Sequence, residues 1–286
     1  MATVLVAGAT GNVGSHVVRE LAARGAHVRA LVRNPAKAST RLGAGVELVR
    51  GDFTDVVSLK RASKGVDAAF VLTPNSPHQF EYEKNVIDTL ESAGVRRVVK
   101  LSSIGAEPGA PLEFWDVQGR LQAYLRRAIP TATIVRSNFH MTALLWAADR
   151  VKAAGQIFAP AAGAQIAMID PRDVAEAAAV LVMSGAHSGE ALTMSGPAAI
   201  SYDRIAEILT SVAGKQVMFI PVPDDAARTA MVGNGMPEWL AENLVTLFRL
   251  LRGGAGSEVT DAFQRVVGRA PRPFAKWAAD HASAFR

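Results

Sequence analysis

The seven residues Gly8-Ala9-Thr10-Gly11-Asn12-Val13-Gly14 stand between two segments of different periodicity, and this placement limits the fold more than any other feature of the chain. Thr3 to Ala7 is a short apolar run of strand character. Beyond the glycines, Val13, Val17 and Leu21 recur at steps of four with Val18 beside them, the spacing of an amphipathic helix, and Gly25 suits its end. A glycine turn between strand and helix has a physical use. The first glycine allows the tight bend, the second lets main chain approach a pyrophosphate, and the third lets helix pack on strand while its N-terminus faces the anion. The spacing is G-x-x-G-x-x-G, a variant of the dinucleotide fingerprint.

The alternation continues. Val28–Val32, Val46–Val49, Ala68–Leu72, Val98–Leu101 and Thr133–Val135 read as strands two to six. Helices fill the gaps, one marked by Phe80, Ile87 and Leu90 before Gly94, another by Leu121, Tyr124, Leu125 and Ala128 before Pro130. Such an order predicts an α/β chain of Rossmann type, a doubly wound parallel sheet covered on both faces. After residue 150, Gly155, Pro160 and Gly163 break the rhythm. Asp170-Pro171-Arg172-Asp173 then opens a helix, with Asp170 as cap, Pro171 at the first helical position and Asp173 near the positive end of the dipole. Ser201 caps a further helix carrying Ile205, Ile208, Leu209 and Val212, which Gly214 stops. The expected division is a nucleotide-binding domain over 1–152, rejoined by 168–185, and a smaller α+β lobe over 153–167 and 186–286. That lobe is expected over the carboxyl ends of the strands, where open α/β sheets bind ligands.

Composition acts mainly by exclusion. The 286 residues include no cysteine, which removes disulfides, thiolate catalysis and cysteine-ligated metal. Lys and Arg number 31 against 26 Asp and Glu, for a net charge of +5, but the basic residues are scattered. Their one local enrichment, Arg249, Arg252, Arg265, Arg269 and Arg272, has a single interleaved aromatic, Phe263, too few for a stacking surface, so no nucleic-acid partner is expected. No basic leader precedes the first strand, and the longest wholly apolar run, Ala177 to Met183, falls far short of the roughly twenty residues that span a bilayer. A cytoplasmic protein without a membrane partner is expected. No H-E-x-x-H, G-x-S-x-G or Walker-type motif is present, so neither a metal site nor hydrolase or kinase chemistry is expected.

The strand ends carry the remaining chemistry. Arg33 stands where a coenzyme without a 2′-phosphate usually meets an acidic residue. A guanidinium there can clamp a 2′-phosphate, with Lys37 one turn later adding charge, which favours NADP(H), with NADPH preferred over NADH; two solvated surface cations are the alternative. Asp52 and Phe53 after strand three have the place and composition to flank an adenine, or form a simple turn. His140, just after strand six, is either a proton donor near the nicotinamide or a locally satisfied imidazole. Phe114, Trp115, Phe139 and Met141 can line an apolar acceptor pocket or pack as core.

Several longer words match a known group: the glycine turn, Arg29-Ala30-Leu31-Val32-Arg33-Asn34-Pro35, Gly51-Asp52, Leu101-Ser102-Ser103-Ile104-Gly105, Ile134-Val135-Arg136-Ser137-Asn138-Phe139, and Ser195-Gly196-Pro197 running into Ser201-Tyr202. Over nearly its whole length the chain resembles the NmrA-like family, an atypical branch of the short-chain dehydrogenase/reductase superfamily. The resemblance implies a nicotinamide coenzyme in a cleft between a Rossmann domain and a small C-terminal lobe. It carries phosphate binding to Gly8, Thr10, Gly11, Asn12, Val13 and Gly14, and 2′-phosphate binding to Arg33 and Lys37. It also implies that Leu72, Thr73 and Pro74 pass under a ribose, that Ser102 and Ser103 face the nicotinamide, and that Ser137, Asn138 and Phe139 border the carboxamide and substrate.

The chain departs from the superfamily at one point. A Tyr-x-x-x-Lys pair is expected on the helix after strand five, where lysine lowers the tyrosine's pKa and tyrosine moves the proton. Here the segment reads Phe114-Trp115-Asp116-Val117-Gln118. Gln118 can bond ribose hydroxyls but supplies no charge. The catalytic candidates reduce to His140, Ser103 and Gln118, and ketone reduction is not expected. Two readings follow: an NADPH-dependent reductase of a quinone, dye or other small conjugated acceptor, or a non-catalytic coenzyme sensor that binds partner proteins. The chain is expected to act as a monomer or homodimer.

Overall fold

Parallel strands cannot be joined by hairpins, so each needs a crossover long enough to return the chain to the same edge. The computed structural model, which describes residues 1–286, meets that requirement with a helix after each of the first five strands. The order is β1 (Thr3–Val6), α1 (Gly14–Ala23), β2 (His27–Val32), α2 (Pro35–Leu42), β3 (Glu47–Arg50), α3 (Val56–Ser63), β4 (Ala68–Val71), α4 (Gln79–Ser92), β5 (Arg97–Ser103), α5 (Glu113–Ala128) and β6 (Thr133–Ser137). A 3₁₀ segment (Met141–Ala147) leads into α6 (Ala148–Ala154), β7 (Gln156–Ala159), α7 (Pro171–Ser184) and β8 (Ala191–Met194). The chain ends with α8 (Tyr202–Ala213), β9 (Met218–Pro221), α9 (Asp224–Gly233), α10 (Glu238–Arg252), α11 (Ala262–Val267) and α12 (Phe274–Asp280).

The main sheet has seven strands in the order β3-β2-β1-β4-β5-β6-β8, and the pairs from β3 to β6 are parallel. Its order reverses between β1 and β4, which makes the carboxyl ends of these two strands the topological switch point. The sequence predicts six strands. The seventh, β8, is four residues long and without a readable period, yet it joins the sheet where Ile134 N donates to Glu190 O at 2.9 Å.

Two compact units divide the chain. The first comprises Met1–Ser137, Pro171–Thr193 and Ala262–Arg269; the second holds Asn138–Asp170, Met194–Asp261 and Ala270–Arg286. The first therefore ends at Ser137 rather than at 152, because Met141, Leu144, Ala148 and Val151 are buried in the second unit's core. It also reclaims a late segment. Arg269, after α11, pairs with Asp173 at 2.6 Å and with Glu176, both on α7. In the second unit, Asp224 is bridged by Arg252 at 2.8 Å and Arg249 at 3.3 Å, so these three arginines of the basic stretch serve internal ion pairs.

In the first unit, Leu5, Ala7, Val71 and Val98 face Leu59, Ile87, Leu90, Leu121 and Leu125 of α3, α4 and α5 in one dry core. The opposite face is covered by α1 and α7, which pack on each other. Caps fix where helices begin: Asn34 accepts from Lys37 N at 3.1 Å ahead of Pro35, and Asp55 accepts from Val57 N and Ser58 N. In the second unit, Ser201 accepts from Arg204 N and Gly214 closes α8 in a left-handed conformation, both as the sequence predicts. Its core gathers around wholly buried Trp277, which stacks on Phe274 and His281, and β7 pairs with β9 in parallel. No helix is long and apolar enough to cross a membrane.

Candidate active site

All five parallel pairs point their carboxyl ends to one edge, so the sequence motifs following β1 to β6 come together there in the first unit. The glycine turn is the tightest point. A Cβ on Gly8, which has φ +80°, would lie 2.3 Å from the Leu72 carbonyl oxygen, and one on Gly14 would lie 2.0 Å from the Gly8 carbonyl oxygen. No larger residue fits either position. The turn is closed by Gly11 N donating to Gly8 O at 3.0 Å, and Thr10, Gly11 and Asn12 are exposed. Helix α1 then begins without a side-chain cap at Val13 and without an acidic residue in its first turn. A ten-residue helix that begins without a side-chain cap or an acidic residue suits an anion. On these observations the turn fits the pyrophosphate of a dinucleotide.

Arg33, after β2, is exposed and has no ion pair of its own. Asp52, after β3, receives Thr54 N at 2.9 Å and Thr54 Oγ1 at 2.7 Å, both on Oδ1. The Thr54 donors, with a smaller effect from the nearby Arg33 guanidinium, hold its carboxyl below the usual carboxylate range. Arg33 and Asp52 are thus neighbours. Phe53 is half-buried and stacks on Tyr82 at 6.2 Å, while Lys37 is exposed on the first turn of α2.

Beneath these groups lies a buried polar chain that the sequence reading does not anticipate. Lys100 on β5 and Glu83 on α4 are fully buried and form an ion pair. Thr73 Oγ1 donates to Glu83 Oε2 at 2.8 Å; Lys100 Nζ donates to Gln118 Oε1 at 2.7 Å. Ser102 Oγ donates to Gln118 Oε1 at 3.3 Å and accepts from Gln122 Nε2 at 2.7 Å; Gln122 Oε1 accepts from Arg136, whose Nη2 reaches Glu107 at 3.1 Å. Two expectations change. The Thr73 and Ser102 side chains turn inward to this chain rather than outward toward a coenzyme, because Lys100 and Glu83 need hydrogen-bonding neighbours. One signal was available: a lysine inside the apolar run Val98-Val99-Lys100-Leu101 is anomalous for a buried parallel strand.

Ser103, one residue on, points to the opposite face, and its Oγ is buried with no hydrogen-bond partner. A buried hydroxyl without a partner is uncommon, and it suits a site that a ligand completes. Ser137 is buried at the end of β6, its Oγ donating to Ser102 O at 3.3 Å. Trp115 is not a pocket wall. It is buried against Gly105, where a Cβ would meet its ring at 2.4 Å, so the indole clamps the loop after β5 to α5. Phe114 beside it is half-buried.

The residues after Ser137 belong to the second unit. Both ends of the Asn138 carboxamide are used: Nδ2 donates to Gly256 O at 3.0 Å and Oδ1 accepts from Phe139 N at 2.7 Å. Its side chain therefore secures a loop instead of meeting a coenzyme. Met141 is 1% exposed within the core, which removes it from a pocket lining. Phe139 is half-buried and tilts against Phe248 at 6.1 Å. Burial pushes the His140 imidazole down to about 4, with the Asp170 carboxylate opposing. At neutral pH His140 is uncharged and cannot act as an imidazolium acid.

A model of the NmrA-like family matches residues 1–269. The chain belongs to the NmrA-like family. Relatives of this NmrA-like protein include the (4-alkanoyl-5-oxo-2,5-dihydrofuran-3-yl)methyl phosphate reductase of Streptomyces griseus, 37% identical over 284 residues, and the NAD(P)H azoreductase of Xenophilus azovorans, 34% identical over 282 residues; each alignment covers 99% of both chains. Among solved structures it is similar to an NADPH-dependent quinone oxidoreductase from Escherichia coli, at 25% identity and TM-score 0.85, covering 97% of this chain and 98% of that one. Position 114 of this NmrA-like protein holds Phe and position 118 holds Gln.

Proposed function

We propose that this NmrA-like protein is an oxidoreductase that binds NADPH and delivers hydride to a small conjugated acceptor such as a quinone or an azo compound. The observation that carries the reading is the glycine cradle against Leu72 and α1: two positions where no Cβ fits, opening on an uncapped helix. The names of the relatives add to it. An azo group and an acylated unsaturated lactone are both conjugated systems that accept hydride.

In this reading Gly8, Gly11 and Gly14 shape the turn, and the leading amides of α1 hold the pyrophosphate. Arg33, with Lys37 one turn on, holds the 2′-phosphate, and Asp52 and Phe53 border the adenine. Bound NADPH supplies the hydride equivalent. Ser103 offers its unpartnered hydroxyl and Gln118 its amide to the oxygen-rich end of the site, and Phe114 contributes apolar surface that keeps water away. No group among them is an acid of suitable strength, so the proton comes from solvent once the acceptor has delocalised the charge.

A screen of NADPH consumption with menadione, methyl red and a cationic triphenylmethane dye tests this. Turnover of at least one acceptor, with cyclohexanone inert, is the expected outcome. Saturable NADPH binding without turnover of any of the three would refute the reductase and favour a coenzyme sensor.

A further inference from the structure

Gln118 has lost the charge that a lysine would bring, yet it is not an ordinary amide. Its Oε1 accepts from two donors, the Lys100 ammonium at 2.7 Å and the Ser102 hydroxyl at 3.3 Å. Lys100 settles the direction of the Ser102 bond: an ammonium can only donate, so the Gln118 oxygen faces it and the same oxygen takes the Ser102 proton, while Gln122 Nε2 donates to the Ser102 hydroxyl oxygen at 2.7 Å. Turning the carboxamide over would set its NH₂ against an ammonium and a hydroxyl proton, neither of which can accept. The amide is therefore held with oxygen inward. Neither bond uses Nε2, which is left on the other side of the group.

Holding one amide by a buried cation is costly, because Lys100 and Glu83 are both fully buried and a buried ion pair adds little net stability over apolar packing. Thr73 and Glu83 show how completely the surroundings are built around that cation.

We infer that Lys100 is a positioning residue for Gln118: it locks the carboxamide so that Nε2 is a fixed, non-titrating N–H donor toward the bound dinucleotide, polarised by the ammonium behind it. The inference rests on the proposed NADPH site. A free glutamine amide would populate both orientations and present an oxygen to the ligand in one of them. The locked amide presents only hydrogens.

The test is a double-mutant cycle on NADPH affinity, read by quenching of tryptophan fluorescence, with thermal melting of every variant. Gln118→Leu removes the donor and is expected to weaken NADPH binding about tenfold, the worth of one good hydrogen bond. The pair E83Q/K100M removes both charges together, so no lone charge is left buried. It is expected to lose a similar factor while still melting cooperatively, and adding Gln118→Leu to it is expected to cost less than about twofold more. Gln118→Glu keeps the inward acceptor oxygen and puts a second oxygen where the outward donor was, so it is expected to bind as weakly as Gln118→Leu. If E83Q/K100M does not fold, Ser102→Ala takes its place in the cycle, because it loosens the same oxygen without touching the charge. Wild-type protein that fails to bind NADPH would overturn the site itself. Wild-type binding with penalties that simply multiply, or with no penalty at Gln118, would overturn the positioning role alone.

Discussion

His140 links the stability of the fold to pH. Burial lowers its folded-state pKa from 6.5 to about 4. Above pH 6.5 neither folded nor unfolded chain protonates this ring, and its neutral form carries no penalty. Between pH 6.5 and 4 the unfolded chain takes up a proton that the folded chain refuses, so stability falls as pH falls. The full loss, at about 1.4 kcal/mol per pKa unit over 2.5 units, is about 3 kcal/mol, and most of it is already spent at pH 4.5. The partial exposure of the ring makes this an upper figure. His140→Gln, neutral at every pH, should lack this component. Urea denaturation of both proteins at pH 7.5 and pH 4.5, followed by tryptophan fluorescence, gives the four free energies needed. Wild type should lose about 2 to 3 kcal/mol more than the variant on acidification. Equal losses would show that the imidazole is not held neutral, and would restore it as a candidate acid.

The remaining expectations concern the coenzyme end and the buried pair. Arg33→Ala should weaken NADPH binding by about 10- to 100-fold and NADH binding by less than about threefold, since a charge-assisted phosphate contact is removed; calorimetry with both coenzymes checks it, and an unchanged preference would misplace the selector. Gly14→Ala forces a methyl group to 2.0 Å from the Gly8 carbonyl oxygen, so the turn must move; NADPH affinity should fall more than about 100-fold and stability by about 1 to 3 kcal/mol, seen in titration and melting. Lys100→Met alone leaves Glu83 buried and uncompensated and should cost about 3 to 5 kcal/mol in chemical denaturation, whereas E83Q/K100M should recover most of that loss.

What could be read from sequence follows the range of the forces involved. The glycine turn, β1 to β6 and the cap at Ser201 depend on periodicity and on neighbours within a few residues, and they appear within a residue or two of their predicted bounds. β8 was missed because four residues entering an existing sheet edge need no pattern of their own. The return of 262–269 to the first unit was missed for a similar reason: the Arg269 bridges to Asp173 and Glu176 span more than ninety positions. At the site, exposed groups such as Arg33 stay where the strand ends put them. Ser102 was read as facing the nicotinamide, because the charge that draws its hydroxyl into the buried chain comes from a lysine assigned to an apolar strand. Met141 and Trp115 were ambiguous by type, and burial decided both for the core.

Phe114 and Gln118 bear on which acceptors the proposed reductase can serve. Hydride delivered to an isolated ketone makes an alkoxide, whose conjugate acid is about as weak as water. Delivered to a quinone it makes a phenolate, with a far stronger conjugate acid near 10. A positioned acid must offset that difference if a ketone is to react. Phe114 has no proton to give, Gln118 does not titrate, and His140 is neutral well below physiological pH. The buried Lys100 cannot fill the gap, because its ammonium is spent on Glu83 and on the Gln118 oxygen. A site of this kind can orient a coenzyme as firmly as one with a catalytic tyrosine, but it must leave the stabilisation of new negative charge to the acceptor. Conjugation in the substrate then does what a positioned acid would otherwise do.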